Sequence, residues 1–178
     1  GEKLRLEPLA EKVGMGTTPL REALSRLATE GLVVGHGQRG YWAPGVSREE
    51  YEQITDLRLD LETKALAASI AAGSEDWEVE VLGAFHRLSR ATAALASDAP
   101  VTPSEWERLN CGFHMALIGR CGNPWLLRFI GQLFDQSERY RHLGVSTRAV
   151  PLSANDAEHA ALMRAALERR GDDAVTLL

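Results

Sequence analysis

Hydrophobic positions along this chain follow two different rhythms. Between residues 1 and 46 the apolar stretches are short and separated by glycine. Leu4, Leu6, Leu9, Ala10 and Val13 outline a short helix that stops at Gly14. Thr17 or Thr18 can cap a second helix, with Pro19 in its first turn, where a missing N–H costs nothing. In that helix Leu20, Ala23, Leu24 and Leu27 recur at steps of three and four and form one apolar face, ended by Gly31. Leu32-Val33-Val34 then reads as a strand, Gly35 to Gly40 as a turn, and Tyr41-Trp42-Ala43 as the return strand. Helix, tight turn, helix and hairpin, in that order, predict a winged helix-turn-helix.

From Ser47 the rhythm becomes helical throughout. Ser47-Arg48-Glu49-Glu50 has the spacing of a capping box, and it opens a helix carrying Ile54, Leu57, Leu61, Ala65 and Ala68 on one face. Later helical stretches break at Gly73-Ser74, Asp98-Ala99-Pro100, Gly122-Asn123-Pro124, Gly144 to Ser153, and Gly171. No strand pattern follows Trp42. The chain is therefore predicted to be mainly α: a winged domain over 1–46 and a bundle of about six helices over 47–178.

Composition narrows the picture. A hydrophobic fraction of 44% and a charged fraction of 25% are those of an ordinary globular chain. No apolar run reaches membrane-spanning length, and no signal-peptide pattern opens the chain. Cys111 and Cys121 match no metal or redox motif and read as buried free thiols, with a reducing cytoplasm as the default location. The net charge of −5 is unevenly spread: residues 1–45 hold six Lys/Arg against five Asp/Glu, so the acidity belongs to the helical part. That asymmetry leaves the first domain free to approach phosphates.

The spaced motifs carry a resemblance. Leu9-Ala10-Glu11-Lys12-Val13-Gly14, Thr18-Pro19-Leu20-Arg21-Glu22-Ala23-Leu24, Glu30-Gly31-Leu32-Val33 and Gln38-Arg39-Gly40 resemble the winged-helix motif of the GntR family. Arg58 with Glu62, Phe113-His114, Asn123, Glu158-His159 and Gly171-Asp172 resemble the FadR-type effector domain (FCD) of the same family. A finer set, Trp77-Glu78, His86-Arg87-Leu88-Ser89, Cys121-Gly122, Leu133-Phe134-Asp135 and Arg139-Tyr140-Arg141, is similar to glutarate-responsive regulators of lysine breakdown. Family members usually begin with a further helix and continue through a further histidine, so the chain is expected to be clipped at both ends.

For the first domain the resemblance implies operator recognition. Arg21 lies opposite the leucine stripe, where it can bond a guanine edge or pair with a nearby glutamate. Thr17 and Thr18 can bond phosphates or cap the helix, and Arg26 can touch a phosphate or remain solvated. Gln38, Arg39 and Gly40 form a wing tip suited to a narrow minor groove, or an ordinary hairpin turn. Ser-Arg commonly stands in the family where this chain has Gly16-Thr17, and another arginine is often found near Glu7; both basic contacts are absent here. One module makes few contacts, so a homodimer on palindromic double-stranded DNA is expected.

For the second domain, Asn110 and His114 are four apart and share a helix face, while His159 lies on a later helix. The resemblance makes these three of four ligands to a divalent metal, with zinc and nickel suited to imidazole and the fourth ligand beyond Leu178. The alternative is a pair of hydrogen-bonded core histidines. A carboxylate effector needs a cation. Arg58 is the candidate, with an ion pair to Glu62 as the other reading. Of Arg139 and Arg141 only one can face inward, and Tyr140 can donate a hydrogen bond or pack.

Trp42, Trp77, Trp106, Trp125, Phe85, Phe113 and Phe129 read as packing residues, and His86 and His142 as surface or interface residues. The expected function is a repressor released by a small carboxylate, possession of a metal-triggered response being one alternative and a metal-dependent hydrolase the other. Against the hydrolase stand the lack of an evident general base, nucleophile motif or phosphate-cradling loop.

Overall fold

The computed structural model describes residues 1–97, 100–146 and 152–178. It divides into two compact units, Gly1–Glu50 and Tyr51–Leu178. The sequence put the border at 46/47, a few residues before this one, which falls in the first turn of the first long helix.

The first unit runs β1 (Lys3–Leu4), α1 (Leu6–Val13), α2 (Thr17–Thr29), β2 (Val34–Gly35), a single 3-10 turn (Gly37–Arg39) and β3 (Tyr41–Trp42). Its three strands are antiparallel in the order β1-β3-β2. Both Lys3 and Val34 stand opposite Trp42, and both Leu4 and Gly35 stand opposite Tyr41. Leu4 is thus a strand residue and not the start of α1, because the return strand of a hairpin has a second edge to satisfy. The second strand also starts later than expected. Leu32 donates its N–H to Leu27 O (2.9 Å), completing the end of α2, and Val33 turns into the core. Ala10, Leu20, Leu24 and Val33 form that core, with Leu4, Leu6, Leu9, Leu27 and Tyr41 packed on it.

The cap of α2 also differs from expectation. Gly16 is the N-cap residue, and Thr17 and Thr18 are the first two helical residues, both exposed.

The second unit holds α3 (Arg48–Ala72, which begins just before it), α4 (Glu75–Ala96), α5 (Pro103–Ile118), α6 (Pro124–Ser146), α7 (Leu152–Leu167) and α8 (Gly171–Leu177). No strand follows Trp42 among the described residues. The starts of the helices are written in local chemistry. Ser47 Oγ accepts from Glu50 N (3.3 Å), Ser74 Oγ from Trp77 N (3.4 Å), Thr102 Oγ1 from Glu105 N (3.1 Å) and Asn123 Oδ1 from Leu126 N (3.1 Å). Pro103 and Pro124 occupy first helical positions. The predicted break at Asp98-Ala99 lies outside the described residues, as does the stretch 147–151 of the break between Gly144 and Ser153. Helix α6 continues through Gly144 to Ser146, and α7 already includes Leu152 and Ser153.

Helix α5 packs against α4 and α6, and α7 against α4 and α8. Trp77, Leu88, Phe113, Leu117, Ile118 and Leu162 are fully buried between them. The indole Nε1 of Trp77 donates to Ala116 O (3.0 Å) and Leu117 O (3.2 Å) at the end of α5. Arg169, at the end of α7, lies over the Trp77 ring at 5.0 Å and donates to Ile70 O (2.8 Å) and Gly73 O (3.1 Å). A Cβ at Gly73 would collide with Trp77 and Arg169, so only glycine permits this approach.

Two packing expectations fail. Trp125 is 64% exposed and Phe129 52% exposed, one turn apart on α6, with Arg128 over the Trp125 ring. Cys111 and Cys121 are free, as expected, but half-buried rather than buried. Burial still pushes the Cys111 thiol up to about 11.

Candidate DNA-facing cleft and effector site

In the first unit the exposed face of α2 and the wing tip meet β1. Arg21, Gln38, Arg39 and Gly40 line a cleft of 870 Å³ together with Lys3 and Arg5. Three features hold it in shape. Tyr41 Oη donates to Arg21 O (3.5 Å), which ties the wing to the start of α2. The Lys3 ammonium lies 5.0 Å from the Trp42 ring. Gly40, at φ 104°, makes a backbone turn that side chains rarely allow, closed by His36 N donating to Gly40 O (3.0 Å). Arg21 is exposed, and among the described residues its guanidinium makes no ion pair, so the intrahelical alternative is not formed.

Thr17, Thr18 and Arg26 are exposed on α2 but do not line the cleft. Lys3 and Arg5 escaped the sequence reading. The signal for them was the alternation Lys3-Leu4-Arg5-Leu6, a strand period at the start of an apparent helix.

In the second unit the polar candidates converge from four helices. Helix α3 supplies Arg58 and Glu62, α5 supplies Asn110 and His114, α6 supplies Phe134 and Arg141, and α7 supplies His159. The rings of His114 and His159 are 5.4 Å apart and nearly perpendicular, and Phe113 stands edge-on to both. His114 Nδ1 is 3.7 Å from Glu62 Oε2, and Glu62 Oε1 is 3.9 Å from Arg58 Nη1. Both distances exceed hydrogen-bond reach. Asn110 Oδ1, the Nδ1 atoms of both histidines, Glu62 Oε1 and Arg58 Nε are buried without a hydrogen-bond partner. Native interiors pair such atoms, so a cluster of unpaired ones marks space for a ligand, an ion or water.

Burial sets the electrostatics. It raises the Glu62 carboxyl to about 7, against the opposing pull of Arg58 and Arg141. It lowers His159 to about 4, and it lowers His114 well below the usual range, helped there by His159, Arg58 and Arg141. Both imidazoles are therefore neutral near pH 7, the form that binds metal.

The two arginines lie near one ring and differ in their commitments. The Arg58 guanidinium is 4.5 Å from the Phe134 centroid and that of Arg141 is 5.0 Å from it. Arg141 faces inward and is engaged at all three nitrogens: Nε donates to Glu107 Oε1 (2.5 Å), Nη1 to Ser137 Oγ and Nη2 to Phe134 O (3.0 Å). Arg58 keeps an open Nε. Arg139 and Tyr140 contact each other, with Arg139 Nη2 donating to Tyr140 Oη (3.2 Å), and Tyr140 stacks on Tyr51 at 5.1 Å. One of the two arginines does face inward, then, but it is spent on Glu107 rather than open to a ligand.

Among the described residues no three His, Cys, Asp or Glu side chains converge closely enough to hold a metal ion. A metal set here needs the amide oxygen of Asn110 beside the two imidazoles. The three unpaired lone-pair atoms suit that role chemically, since neutral imidazole and amide oxygen are ordinary ligands of borderline divalent ions.

These two sites, a basic cleft on a winged helix-turn-helix and a polar centre in a helical bundle, define a DNA-binding transcription regulator. Residues 1–42 match the model of bacterial regulatory proteins of the gntR family, and residues 53–178 match the FCD domain. The chain belongs to the GntR family and carries an FCD effector-binding domain. It is 35% identical to the HTH-type transcriptional repressor GlaR of Escherichia coli (strain K12), over 89% of this chain and 71% of that protein. It is 33% identical to the HTH-type transcriptional regulator BphR of Paraburkholderia xenovorans (strain LB400), over 100% of this chain and 72% of that one.

The fold matches the solved structure of Escherichia coli McbR/YncC with a TM-score of 0.81, at 22% identity, over 99% of this chain and 81% of that one. These relatives are transcription regulators, which removes the hydrolase alternative. GntR regulators bind operator DNA and typically dimerise. No helix among the described residues is long and apolar enough to cross a membrane.

Proposed function

We propose that this regulator is a cytoplasmic homodimeric repressor of a palindromic operator, released when a small carboxylate binds among Arg58, His114 and His159. The observation that carries the reading is the buried, unpartnered Nε of Arg58 beside a cluster of unpartnered lone pairs. A guanidinium with a free edge is a fitting seat for a carboxylate. A dicarboxylate such as glutarate is the first candidate. Asn110, His114 and His159 would hold a divalent ion such as zinc or nickel, which would supply positive charge for a second carboxylate. Ligand moves the operator equilibrium only through unequal affinity for two arrangements of the dimer.

Fluorescence anisotropy of the upstream DNA with the full-length regulator tests this reading. Glutarate is expected to weaken a tight, salt-sensitive complex; operator affinity indifferent to saturating dicarboxylates would sink it. Within the cleft, Arg21→Ala is expected to cost about tenfold to a hundredfold in operator affinity and to relax base preference at one position. Arg5→Ala should instead weaken all sequences alike and reduce the salt slope by about 1, as loss of a phosphate contact does. Equal selectivity in wild type and Arg21→Ala would remove Arg21 from base readout.

A second reading, a metal-responsive regulator, rests on Asn110 Oδ1 and the two unpaired imidazole nitrogens. Calorimetric titration with zinc or nickel decides it. His114→Ala is expected to abolish binding at the centre, and a metal that tunes operator affinity with no organic acid present would favour this reading over the first.

A further inference from the structure

The ion pairs Arg58–Glu62 and Arg141–Glu107 lie in one unit, near one phenylalanine ring, and are built differently. Arg141 and Glu107 are hydrogen-bonded at 2.5 Å, and the other two nitrogens of Arg141 bond Ser137 and Phe134, although Glu107 Oε2 is left without a partner. Arg58 and Glu62 stay 3.9 Å apart, and Arg58 Nε and Glu62 Oε1 are both buried without a hydrogen-bond partner. They stand one turn apart on one helix, so their spacing is fixed by α3 itself. Glu62 is 1% exposed, and its other oxygen is turned toward His114 Nδ1 at 3.7 Å.

Resting on the carboxylate-sensor reading above, we propose that Glu62 is a resident competitor for the effector's carboxylate, compensating Arg58 in the free protein and opposing the anion that arrives there. A lone buried guanidinium would be costly, and a closed bidentate pair would satisfy one edge of the guanidinium and neutralise it against an arriving anion. The loose pair avoids both. It gives Arg58 a counter-charge at a distance that leaves its Nε edge available. An anion on that edge sits close to Glu62 in a poorly screened interior, where like charges repel strongly. Glu62 therefore sets how much effector is needed before the site fills.

The test is calorimetric titration of glutarate into the full chain and into Glu62→Gln, Arg58→Gln and the double variant, with far-ultraviolet circular dichroism as the check on folding. At pH 8, where Glu62 is ionised in most of the free protein, Glu62→Gln is expected to bind glutarate about fivefold more tightly than wild type, because the repulsion is gone while the volume is kept. Arg58→Gln should lose binding, and the double variant should bind no better than Arg58→Gln. Glutarate binding by Glu62→Gln that is equal to or weaker than wild type overturns the competitor role while leaving the sensor reading standing. Binding by none of the chains removes the sensor reading and this inference together. Should Glu62→Gln fail to fold, Glu62→Met, uncharged and of similar volume, carries the same comparison.

Discussion

Trp77→Ala is expected to lower the stability of the helical unit by about 3–5 kcal/mol, the range for deleting a large aromatic from a closed core. Trp77 is fully buried, so its removal leaves a cavity between α4 and α5. The loss extends beyond that volume. The indole N–H serves Ala116 O and Leu117 O near the C-terminus of α5, and the ring seats the Arg169 guanidinium from the end of α7. Gly73 can approach only because the ring and the guanidinium fill the space a Cβ would need. Three helix ends thus depend on one side chain. Trp77→Phe keeps most of the volume but loses the donor, so it should cost less, about 1–3 kcal/mol. Urea unfolding followed by circular dichroism measures both. A loss under about 1 kcal/mol for Trp77→Ala would mean that the helix ends are held elsewhere.

What the sequence made legible follows from how local each signal was. Caps at Ser47, Ser74, Thr102 and Asn123 involve neighbours three residues away, and a helical period declares itself within two turns. The two-part architecture and the helical class of the second unit were therefore readable. Strand β1 was not, because Lys3 and Leu4 pair with Trp42 and Tyr41, almost forty positions along the chain. Arg5 and Lys3 were missed with it. In the bundle, Arg58, Asn110, His114 and His159 stand out as polar residues in apolar surroundings. Glu62 entered only as an ion-pair partner for Arg58, one turn on. Its burial, and its approach to His114, come from the packing of α5 and α6, which no spacing within α3 encodes. The exposure of Trp125 and Phe129 was hidden for the same reason: a large aromatic at a helical period does not say which side of its helix is covered.

The buried charges of the effector domain are balanced in pairs. Arg58 faces Glu62 and Arg141 faces Glu107, while the two histidines are neutral near pH 7. With Glu62 ionised, a carboxylate entering such a centre meets no surplus of positive charge from the protein alone. Either the Arg58–Glu62 pair must yield or a cation must be present beside the imidazoles, and both routes pass through α3 and α5. Helix α3 is also the element that begins at the border with the winged unit. A change in the pairing of Arg58 is therefore made on the stretch of chain that leads to the DNA reader, with no intervening element.

Acidification from pH 7 to 4.5 is expected to lower the stability of the metal-free protein through this centre, as the net of opposed contributions. His159 has a folded value of about 4 against an ordinary 6.5. The unfolded chain binds its proton first, so stability is complete above 6.5 and is lost as pH falls from there toward 4. By pH 4.5 that loss is about 3 kcal/mol at roughly 1.4 kcal/mol per unit. His114 is lowered in the same direction and adds a loss over the same window.

Glu62 acts in the opposite sense. Its folded value of about 7 lies above the ordinary 4.5, so the folded protein takes up this proton first. That uptake adds about 3 kcal/mol of stability as pH falls from 7 to 4.5, offsetting one histidine and leaving the other uncompensated. Two substitutions separate the contributions. Glu62→Gln should make the acid loss steeper by about 3 kcal/mol, whereas His114→Asn combined with His159→Asn should reverse its sign, so that stability rises on acidification. Denaturant midpoints in chelator-treated buffer at pH 7, 5.5 and 4.5 measure these slopes. Parallel pH profiles for wild type and Glu62→Gln would mean that Glu62 is ionised alike in the folded and unfolded chain, contrary to its burial beside His114.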